Sequence, residues 1–424
     1  MRKILKLLLW IALIVAVISI GRACIYGGLN AITGSSSIFD PAEPDETDGW
    51  SWSFPEETAA PIEPLPTETA ATQAPLDSLN ETAGGYYGQL NSSERLIYNA
   101  VSDAVKANKN VCMISPDAYY SNEREIERAV SAFLMDHPEC LDLNGAYTIF
   151  SNGKLELDRH DYWSYSSNPQ RYTEQLMTEV SRIASMARQY PTDFDRAVFV
   201  HDYICENCRY DYERLAESEK TIHDPEVEFI YNAYGCLVQG SCVCQGYAEA
   251  YKLILDELGI ECCFVKGTAE GERHGWNIVK LGRGYYHVDV TWDDEDDITF
   301  DGETYSGLCH HAYFGLTTEM ISSDHKVDTE LFGIPECTST RYEYYSFKGY
   351  LPEPAGLQGI LASIAKQREA GEDPVVIRFA DRAQFDEGVS EDTIHELSHE
   401  AGFRFIYIKN DDMLTLSLIE KKGS

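Results

Sequence analysis

The chain has 424 residues, which is enough for two or three domains and a sizeable core. It carries 70 aspartates and glutamates against 34 lysines and arginines, so its formal net charge at pH 7 is −36. Because such a surface repels phosphate backbones, the composition argues against nucleic acid as a partner. The twelve cysteines do not by themselves decide the redox compartment.

The N-terminus predicts a secretory signal or a signal anchor. Three cations lie within the first six residues, and an uncharged run follows from Leu7 to Gly21. This order is typical of secretory segments, and the positive-inside bias sends everything after Arg22 across the membrane. We therefore predict a signal peptide or signal anchor at 1–28, with the bulk of the chain outside the cytoplasm. The chain is held at the cell membrane by this one segment, or it is secreted if the segment is cleaved.

The composition of residues 29–90 predicts a disordered linker. No lysine or arginine occurs between Arg22 and Arg95, and residues 34–84 hold seven prolines together with many serines, threonines and acidic residues. Such a composition buries too little apolar surface to offset the entropy lost on folding. It indicates a tether that joins the membrane segment to the folded part of the chain.

Hydrophobic periodicity divides the remaining chain into three folded parts. Residues 91–170 predict an N-terminal α/β module, residues 171–345 a central domain, and residues 346–424 a small C-terminal α/β module. The predicted helices are Ser93–Ala107, Asn122–Asp136, Tyr172–Arg188, Thr192–Cys208, Tyr247–Leu258, 356–369 and 391–401. The strands predicted in the two modules are Ala146–Phe150, Lys154–Asp158, Val375–Phe379, Phe403–Lys409 and Met413–Ile419.

Cys244 is the candidate nucleophile. It lies in the segment Gly240-Ser-Cys-Val-Cys-Gln-Gly-Tyr-Ala, which leads into the predicted helix Tyr247–Leu258. Unpaired amide N–H groups at a helix N-terminus stabilise a thiolate and lower the thiol pKa, as a nucleophilic cysteine requires. Taken alone, however, a cysteine is more often a small buried hydrophobic residue.

His274 and Asp289 are the candidate partners of this thiol. Each lies in a β-patterned run, and Gly282-Arg-Gly separates the two runs, so the pattern predicts an antiparallel hairpin. If the loop has an even number of residues, Trp276 lies opposite Asp289, and His274 is its diagonal neighbour on the same face. An odd loop would put His274 and Asp289 on opposite faces. A histidine oriented by a carboxylate and directed at a helix-start thiolate is an arrangement for acyl transfer.

The central domain resembles a known family. The motifs that carry the resemblance are His201-Asp-Tyr-Ile with Tyr210-Asp211, Ala233-Tyr-Gly, Val243-Cys-Gln-Gly-Tyr-Ala, His274-Gly-Trp-Asn and Val288-Asp-Val-Thr-Trp-Asp-Asp. Over about residues 190–325 they are similar, in this order, to the papain-like core of the transglutaminase-like superfamily. The tether and the N-terminal module also resemble those of bacterial surface proteins that carry this core.

The resemblance implies an α+β fold in which a helix carrying the cysteine packs on an antiparallel sheet carrying the histidine and the aspartate. It implies that Cys244 is the nucleophile, that His274 is the base and acid, and that Asp289 orients His274. The family takes an acyl group from an amide and passes it to an amine or to water. The Cys244 backbone N–H is the expected oxyanion donor, and Tyr234 and Gln239 are candidates for a side-chain donor.

Cys242 departs from the family pattern, since it lies only two residues before the nucleophile. We predict that it pairs with Cys244, which would restrain activity, or with a third cysteine such as Cys208 or Cys236. The same three residues together with Cys205 could instead form a Cys₄ zinc site, although disulfides or buried thiols are the expected state.

Two other patterns resemble metal sites, but we expect neither to bind a metal. His395-Glu-Leu-Ser-His399 matches the zinc protease motif HExxH, with Glu396 as its base. Only 25 residues follow His399, and they are patterned as a β-hairpin, so the nearest third ligand is Glu420 in the tail. The acidic run Asp293–Asp297 lacks the glycine of a calcium loop, and we expect a solvated turn. The sequence therefore predicts neither a metal nor a cofactor.

The sequence thus predicts an extracytoplasmic cysteine enzyme that acts on peptide or isopeptide amides, as a peptidase or as a transglutaminase-like acyltransferase. Its substrate would be a protein or a peptide, with cell-wall peptides, host proteins and surface partners all open. The competing interpretation is a catalytically silent surface protein that uses the same fold for binding or as a scaffold. The presence of Cys244, His274 and Asp289 together argues against it, because drift usually removes one member of such a set.

Overall fold

A computed structural model describes residues 85–115, 123–160, 163, 166, 168–218 and 228–421. The predicted signal segment at 1–28 and residues 29–84 of the predicted linker lie outside these residues. Residues 85–90, the end of the predicted linker, are folded: they include a 3₁₀ turn, and Tyr86 and Leu90 are buried. Within the described part of the chain, no helix is both long enough and apolar enough to cross a bilayer.

Helices and strands alternate in groups along the described chain. The α-helices are α1 (Ser92–Lys106), α2 (Glu123–Asp136), α3 (Gln170–Ala187), α4 (Asp193–Asn207), α5 (Tyr212–Ser218), α6 (Cys244–Glu257), α7 (Val290–Asp293), α8 (Thr318–Ile321), α9 (Tyr344–Lys348), α10 (Leu357–Ala370), α11 (Arg382–Gly388) and α12 (Glu391–Glu400). Two 3₁₀ turns, Tyr86–Gln89 and Phe229–Tyr231, and a π-helical segment, Gly235–Gln239, complete the helical elements. The strands are β1 (Val111–Met113), β2 (Leu143–Ile149), β3 (Lys154–Arg159), β4 (Cys262–Ala269), β5 (Glu272–Leu281), β6 (Gly284–Val288), β7 (Asp294–Glu295), β8 (Ile298–Phe300), β9 (Glu303–Tyr305), β10 (Leu308–Cys309), β11 (Phe314–Leu316), β12 (His325–Val327), β13 (Val375–Arg378), β14 (Phe405–Asn410) and β15 (Thr415–Glu420).

A five-stranded antiparallel sheet in the order β11-β6-β5-β4-β12 forms the centre of the protein. Its middle strand, β5, is buried from Arg273 to Val279 because both faces of the sheet are covered. Helix α6 packs on one face, where the Asn277 side chain donates to the Ala248 carbonyl at 3.0 Å. On the other face Trp276 and Ile278 belong to a second apolar cluster, with buried residues of the segment that follows β10. The result is the predicted helix-on-sheet arrangement.

The hairpin of β5 and β6 has the predicted register. Leu281 pairs with Gly284, so the loop has two residues, and Gly282 takes a φ of 61°, which glycine adopts without steric cost. The pairing of Asn277 with Val288 places Trp276 opposite Asp289 when the register is continued by one residue. The even loop is therefore confirmed. The strand is shorter than expected, however, since β6 ends at Val288 and Asp289 caps the one-turn helix α7.

The N-terminal module packs α1 and α2 with a three-stranded sheet in the order β1-β3-β2. Asn91 and Glu94 form a capping box, which explains why α1 starts at Ser92. The module shares an apolar cluster with the central sheet, and the Tyr86 hydroxyl donates to the Phe264 carbonyl at 2.6 Å. Both predicted helices and the hairpin are present, with ends shifted by up to three residues.

The C-terminal module pairs β13, β15 and β14 in that order and covers them with helices. A buried ion pair at 3.1 Å between Arg378 and Glu343 joins it to the preceding segment, and Arg378 also donates to the Ala312 carbonyl. The predicted elements of this module are confirmed to within two residues, and α11 was not predicted. The boundaries 91–170, 171–345 and 346–424 stay predictions.

Candidate active site

Cys244 is the first residue of α6. Val243 before it is extended, with φ −103° and ψ 177°, and its carbonyl accepts the Gly246 N–H at 2.8 Å. The amides expected to be unpaired at the helix start are therefore those of Cys244 and Gln245. Gly246 allows the close packing of this turn. A Cβ there would lie 2.8 Å from the Cys242 sulfur and 2.9 Å from the Asn232 carbonyl oxygen. The extended Val243 therefore precedes the first turn of the helix, and the small Gly246 lets this turn lie close to its neighbours.

The hairpin brings His274 and Asp289 together. His274 lies on β5 and Asp289 directly follows β6, and Nε2 of the histidine is 2.5 Å from Oδ2 of the aspartate. The Cys244 sulfur lies close enough to the same imidazole to raise its pKa. Both His274 and Asp289 are buried, at 8% and 1% exposure, so bulk water does not screen their interaction. The structure thus assembles the three residues that the sequence singled out.

Four hydrogen bonds hold the Asp289 carboxylate. Its Oδ1 accepts the backbone N–H groups of Thr291 at 3.0 Å and Trp292 at 3.2 Å. Its Oδ2 faces His274 and also His325, whose Nε2 is 3.0 Å away. No local sequence pattern points to His325, because it is 36 residues from Asp289 and reaches it only when β12 pairs with β4.

These contacts shift the protonation of both partners. Burial alone would lower the pKa of His274, but the Asp289 carboxylate and the Cys244 sulfur outweigh it and raise the pKa to about 10. Burial alone would raise the pKa of Asp289, but His274 and His325 outweigh it and hold the pKa well below its usual range. The arrangement therefore favours a positively charged imidazole beside an ionised carboxylate.

Cys244 and His274 line one cavity. Its other walls are mainly aromatic and aliphatic, with a few polar side chains: Tyr210, Leu215, Tyr231, Val243, Gln245, Phe264, Lys266, Arg273 and Gly275. The thiol can therefore be reached by a molecule that enters this cavity. Burial lowers the pKa of the Lys266 ammonium to about 8 despite the nearby Glu249 carboxylate.

Comparison with known families agrees with this geometry. The sequence profile of the Transglutaminase-like superfamily matches residues 181–290, a stretch that includes Cys244, His274 and Asp289. The chain carries a transglutaminase-like superfamily domain. The predicted α+β fold class with a transglutaminase-like core is therefore confirmed. No curated protein matches the chain significantly.

Two solved structures resemble part of the chain. A TGase crystal structure is 14% identical at a TM-score of 0.27, and the match covers 38% of this chain and 48% of that one. A proposed cysteine protease from Cytophaga hutchinsonii is 14% identical at a TM-score of 0.20, covering 28% of this chain and 42% of that one. The chain spans less than half the length of either structure.

The predicted side-chain oxyanion donors are not at the cavity of the transglutaminase-like domain. Neither Tyr234 nor Gln239 lines it. The Tyr234 hydroxyl donates to Gln175 at 2.8 Å, because its ring packs against Phe229, and Gln239 ends the π-helical segment. Gln245, which directly follows the nucleophile, does line the cavity, and it donates to the Glu249 carboxylate at 2.8 Å. Gln245 was not predicted.

Cys242 forms no disulfide with Cys244 in this structure, and its sulfur lies beside other thiols. Cys208, Cys236, Cys242 and Cys244 are all free thiols in this structure. The Cys242 sulfur is 3.5 Å from that of Cys208, and Cys236 belongs to the same buried cluster. The proposed Cys₄ set is wrong, because Cys205 lies in a different cluster of possible metal ligands.

The HExxH motif lies on α12, away from the transglutaminase-like domain's cavity. His395 and His399 are exposed, with ring centroids 4.8 Å apart, and within the described residues they join no group of three metal ligands. Glu420, the suggested third ligand, pairs with Arg368 at 2.9 Å. The motif therefore occupies a solvated helix face, as predicted.

The acidic run Asp293–Asp297 is not the solvated turn that was expected. Asp293 is fully buried and lies 3.0 Å from His201 Nε2 and 2.7 Å from His310 Nδ1. The Tyr247 hydroxyl donates to Asp294 at 2.6 Å. The run enters the interior because helix α7, which starts at Asp289, turns the chain back toward these histidines.

Proposed function

We propose that this protein is an extracytoplasmic thiol enzyme that cleaves or transfers the acyl group of peptide or isopeptide amides. The observation that carries the proposal is that the His274 imidazole contacts the Asp289 carboxylate and lines the same cavity as the Cys244 thiol. The location outside the cytoplasm is supported by the N-terminal sequence pattern. The proposed substrate is a protein or a peptide, the molecules in which peptide and isopeptide amides occur.

The proposed reaction has two steps. His274 removes the thiol proton of Cys244, and the thiolate attacks the carbonyl carbon of the substrate amide. Amide N–H groups at the start of α6 stabilise the negative oxygen of the tetrahedral intermediate. The imidazolium gives its proton to the leaving amine, and a thioester of Cys244 remains. An acceptor then attacks the thioester while His274 takes the acceptor's proton, and the thiol is restored.

The acceptor distinguishes a peptidase from a transglutaminase. Water as the acceptor releases a carboxylic acid, whereas a primary amine gives a new amide. A reaction with a model peptide and an excess of a labelled primary amine, followed by mass spectrometry of the products, identifies the acceptor directly.

Alkylation of the wild-type protein with iodoacetamide at pH 6 tests the proposal. At this pH an ordinary thiol with a pKa near 8.5 is about 0.3% thiolate, so slow labelling is the background. We expect fast labelling in the peptide that contains Cys244, and slow labelling there in His274→Ala. Peptide mapping is needed because hydrogen bonds also lower the pKa of Cys208, to about 4. Background-rate labelling of Cys244 in the folded wild type would favour a catalytically silent protein.

A further inference from the structure

A second group of nucleophilic and imidazole side chains, two buried and one half-buried, lies outside the lining of the cavity. The ligand atoms of His201, Cys205 and Cys309 lie within 4.8 Å of one another, and the Cys309 sulfur is 3.9 Å from His201 Nδ1. His201 and Cys205 are four residues apart on α4, so they share one face of that helix. Cys309 comes from β10, which brings it to that face. The proposed reaction uses none of these three side chains.

A carboxylate orients the histidine toward the two sulfurs. His201 Nε2 is 3.0 Å from Asp293 Oδ2, and both side chains are fully buried. Asp293 is itself held by the Tyr313 backbone N–H, which donates to Oδ1 at 2.9 Å. Histidines that bind metals commonly donate their second ring N–H to a carboxylate in this way, which leaves the other nitrogen for the metal.

The Asp202 carboxylate is a further possible ligand near His201 Nδ1. Asp202 Oδ1 is 2.9 Å from His201 Nδ1, and His311 Nε2 is 2.8 Å from that oxygen. His201, Asp202 and His311 also place their ligand atoms within 4.8 Å of one another. The Asp202 oxygen therefore lies beside the same His201 nitrogen that the Cys309 sulfur faces.

We propose that His201, Cys205, Cys309 and Asp202 form a structural zinc site. Zinc takes four such ligands in a tetrahedron at about 2.0–2.3 Å, which separates neighbouring ligand atoms by about 3.3–3.8 Å. Binding would require side-chain rotations that bring the observed 2.9 Å and 3.9 Å separations from His201 Nδ1 into this range and move the Asp202 oxygen toward the two sulfurs. Binding releases the two thiol protons and any proton on His201 Nδ1 to solvent, and it replaces the hydrogen bond from His201 to Asp202.

The site would brace the segment that carries Asp289. Cys205 lies 3.9 Å from the Val290 carbonyl, and His201 bonds Asp293, so both ligands on α4 touch helix α7. Asp289 is the N-cap of that helix. Zinc would tie α4 and β10 to this turn and so restrict the motion of the carboxylate that faces His274. Loss of zinc is therefore expected to lower thermal stability.

Metal content of the full-length protein tests the site. The protein is purified with added zinc, separated from free metal, and measured by elemental mass spectrometry, with about one zinc per chain expected. Cys205→Ser and Cys309→Ser should each lower the content at least tenfold, and Asp202→Asn should weaken binding by about 10–100-fold. Cys208→Ser is the matched control in the neighbouring thiol cluster, and it should keep its zinc, as should Cys244→Ala.

Cobalt binding to the wild type keeps the test informative if a serine variant fails to fold. Apoprotein titrated with cobalt should develop a thiolate-to-cobalt charge-transfer band and the intense visible bands of a tetrahedral ion. Folded wild-type protein that shows neither bound zinc nor these bands would overturn the proposal. Zinc that is lost in Cys208→Ser but kept in Cys309→Ser would overturn it as well, because the metal would then belong to the other cluster.

Discussion

His325 shares the Asp289 carboxylate with His274. Its Nε2 lies 3.0 Å from Asp289 Oδ2, and the same oxygen lies 2.5 Å from His274 Nε2. The other nitrogen of His325, Nδ1, is 2.5 Å from Asp324, and the Tyr313 hydroxyl donates to Asp324 at 2.7 Å. A buried chain of alternating imidazoles and carboxylates therefore continues behind the proposed catalytic residues and fixes the position of Asp289.

Replacement of His325 tests this positioning role. A hydrogen bond to a charged group contributes about 1.5–3 kcal/mol, so His325→Ala should lower kcat/KM by about 10–100-fold. His325→Gln can still donate through its amide and should recover part of the loss. The measurement is kcat/KM of folded protein for both variants. An unchanged kcat/KM with a lower Tm would show that His325 serves stability alone.

The raised pKa of His274 predicts the alkaline limit of activity. Since Asp289 and Cys244 raise this pKa to about 10, the imidazolium persists below about pH 10 and is lost above it. We expect the alkaline limb of kcat/KM near pH 10. In Asp289→Asn this limb should move to lower pH, because the charge that raises the pKa is gone. A wild-type limb near the ordinary histidine pKa of about 6.5 would contradict this assignment.

The shifted pKa values of His274 and Asp289 make the free energy of unfolding depend on pH. The folded pKa of His274 is higher than its unfolded value, so its contribution is fully present below about pH 6.5 and is lost as pH rises to about 10. Asp289 has a lowered pKa, so its contribution is present above about pH 4 and is lost in acid. The free energy of unfolding of Asp289→Asn, compared with wild type across pH, should therefore differ most between these limits.

The close approach of Cys208 and Cys242 predicts a disulfide in an oxidising compartment. Their sulfurs are 3.5 Å apart, and hydrogen bonds from Cys236 and Cys242 lower the pKa of Cys208 to about 4, which favours the reactive thiolate. Differential alkylation and peptide mapping of protein taken from intact cells should find this pair linked and Cys244 free. Free thiols at both Cys208 and Cys242, or a bond between Cys242 and Cys244, would refute the prediction.

Local patterns sufficed for the hairpin, and they predicted helix α6, although the helix begins at Cys244 and not at Tyr247 as expected. The two-residue loop at Gly282 and the period of two along each strand decide which side chains share a face with Asp289. No local pattern reports which distant side chains arrive at that carboxylate, so His325 was missed. Tyr234 was misplaced for a related reason, since the packing of its ring rather than its position in the chain decides where the hydroxyl points.

Protease treatment of intact cells tests the predicted location. Cations followed by an apolar run at 1–28 and a cation-free segment up to Arg95 predict that the folded part lies outside the membrane. Protease added to intact cells should therefore release fragments that begin near residue 90. A cytoplasmic marker protein serves as the control for lysis. Protection in intact cells together with cleavage after lysis would place the protein inside.

Substitutions at the proposed catalytic residues give the decisive test of function. Cys244→Ala removes the attacking sulfur and should abolish turnover while the fold persists, because the two side chains differ little in volume. His274→Ala should have nearly the same effect, since the leaving amine then lacks its proton donor. Asp289→Asn keeps the shape but favours the wrong tautomer of His274, and we expect a loss of up to about 10⁴-fold in kcat, the value known for a serine enzyme.

The HExxH helix supplies the matched control for this series. His395→Ala changes an exposed histidine far from the cavity in sequence and should leave kcat/KM unchanged. Activity is followed with a fluorogenic peptide library, and circular dichroism confirms that each variant is folded. If His395→Ala abolishes turnover while Cys244→Ala does not, the chemistry belongs to α12 and the cysteine assignment is wrong. Full activity in Cys244→Ala alone is sufficient to exclude a thioester intermediate, because no other thiol lines that cavity within the described residues.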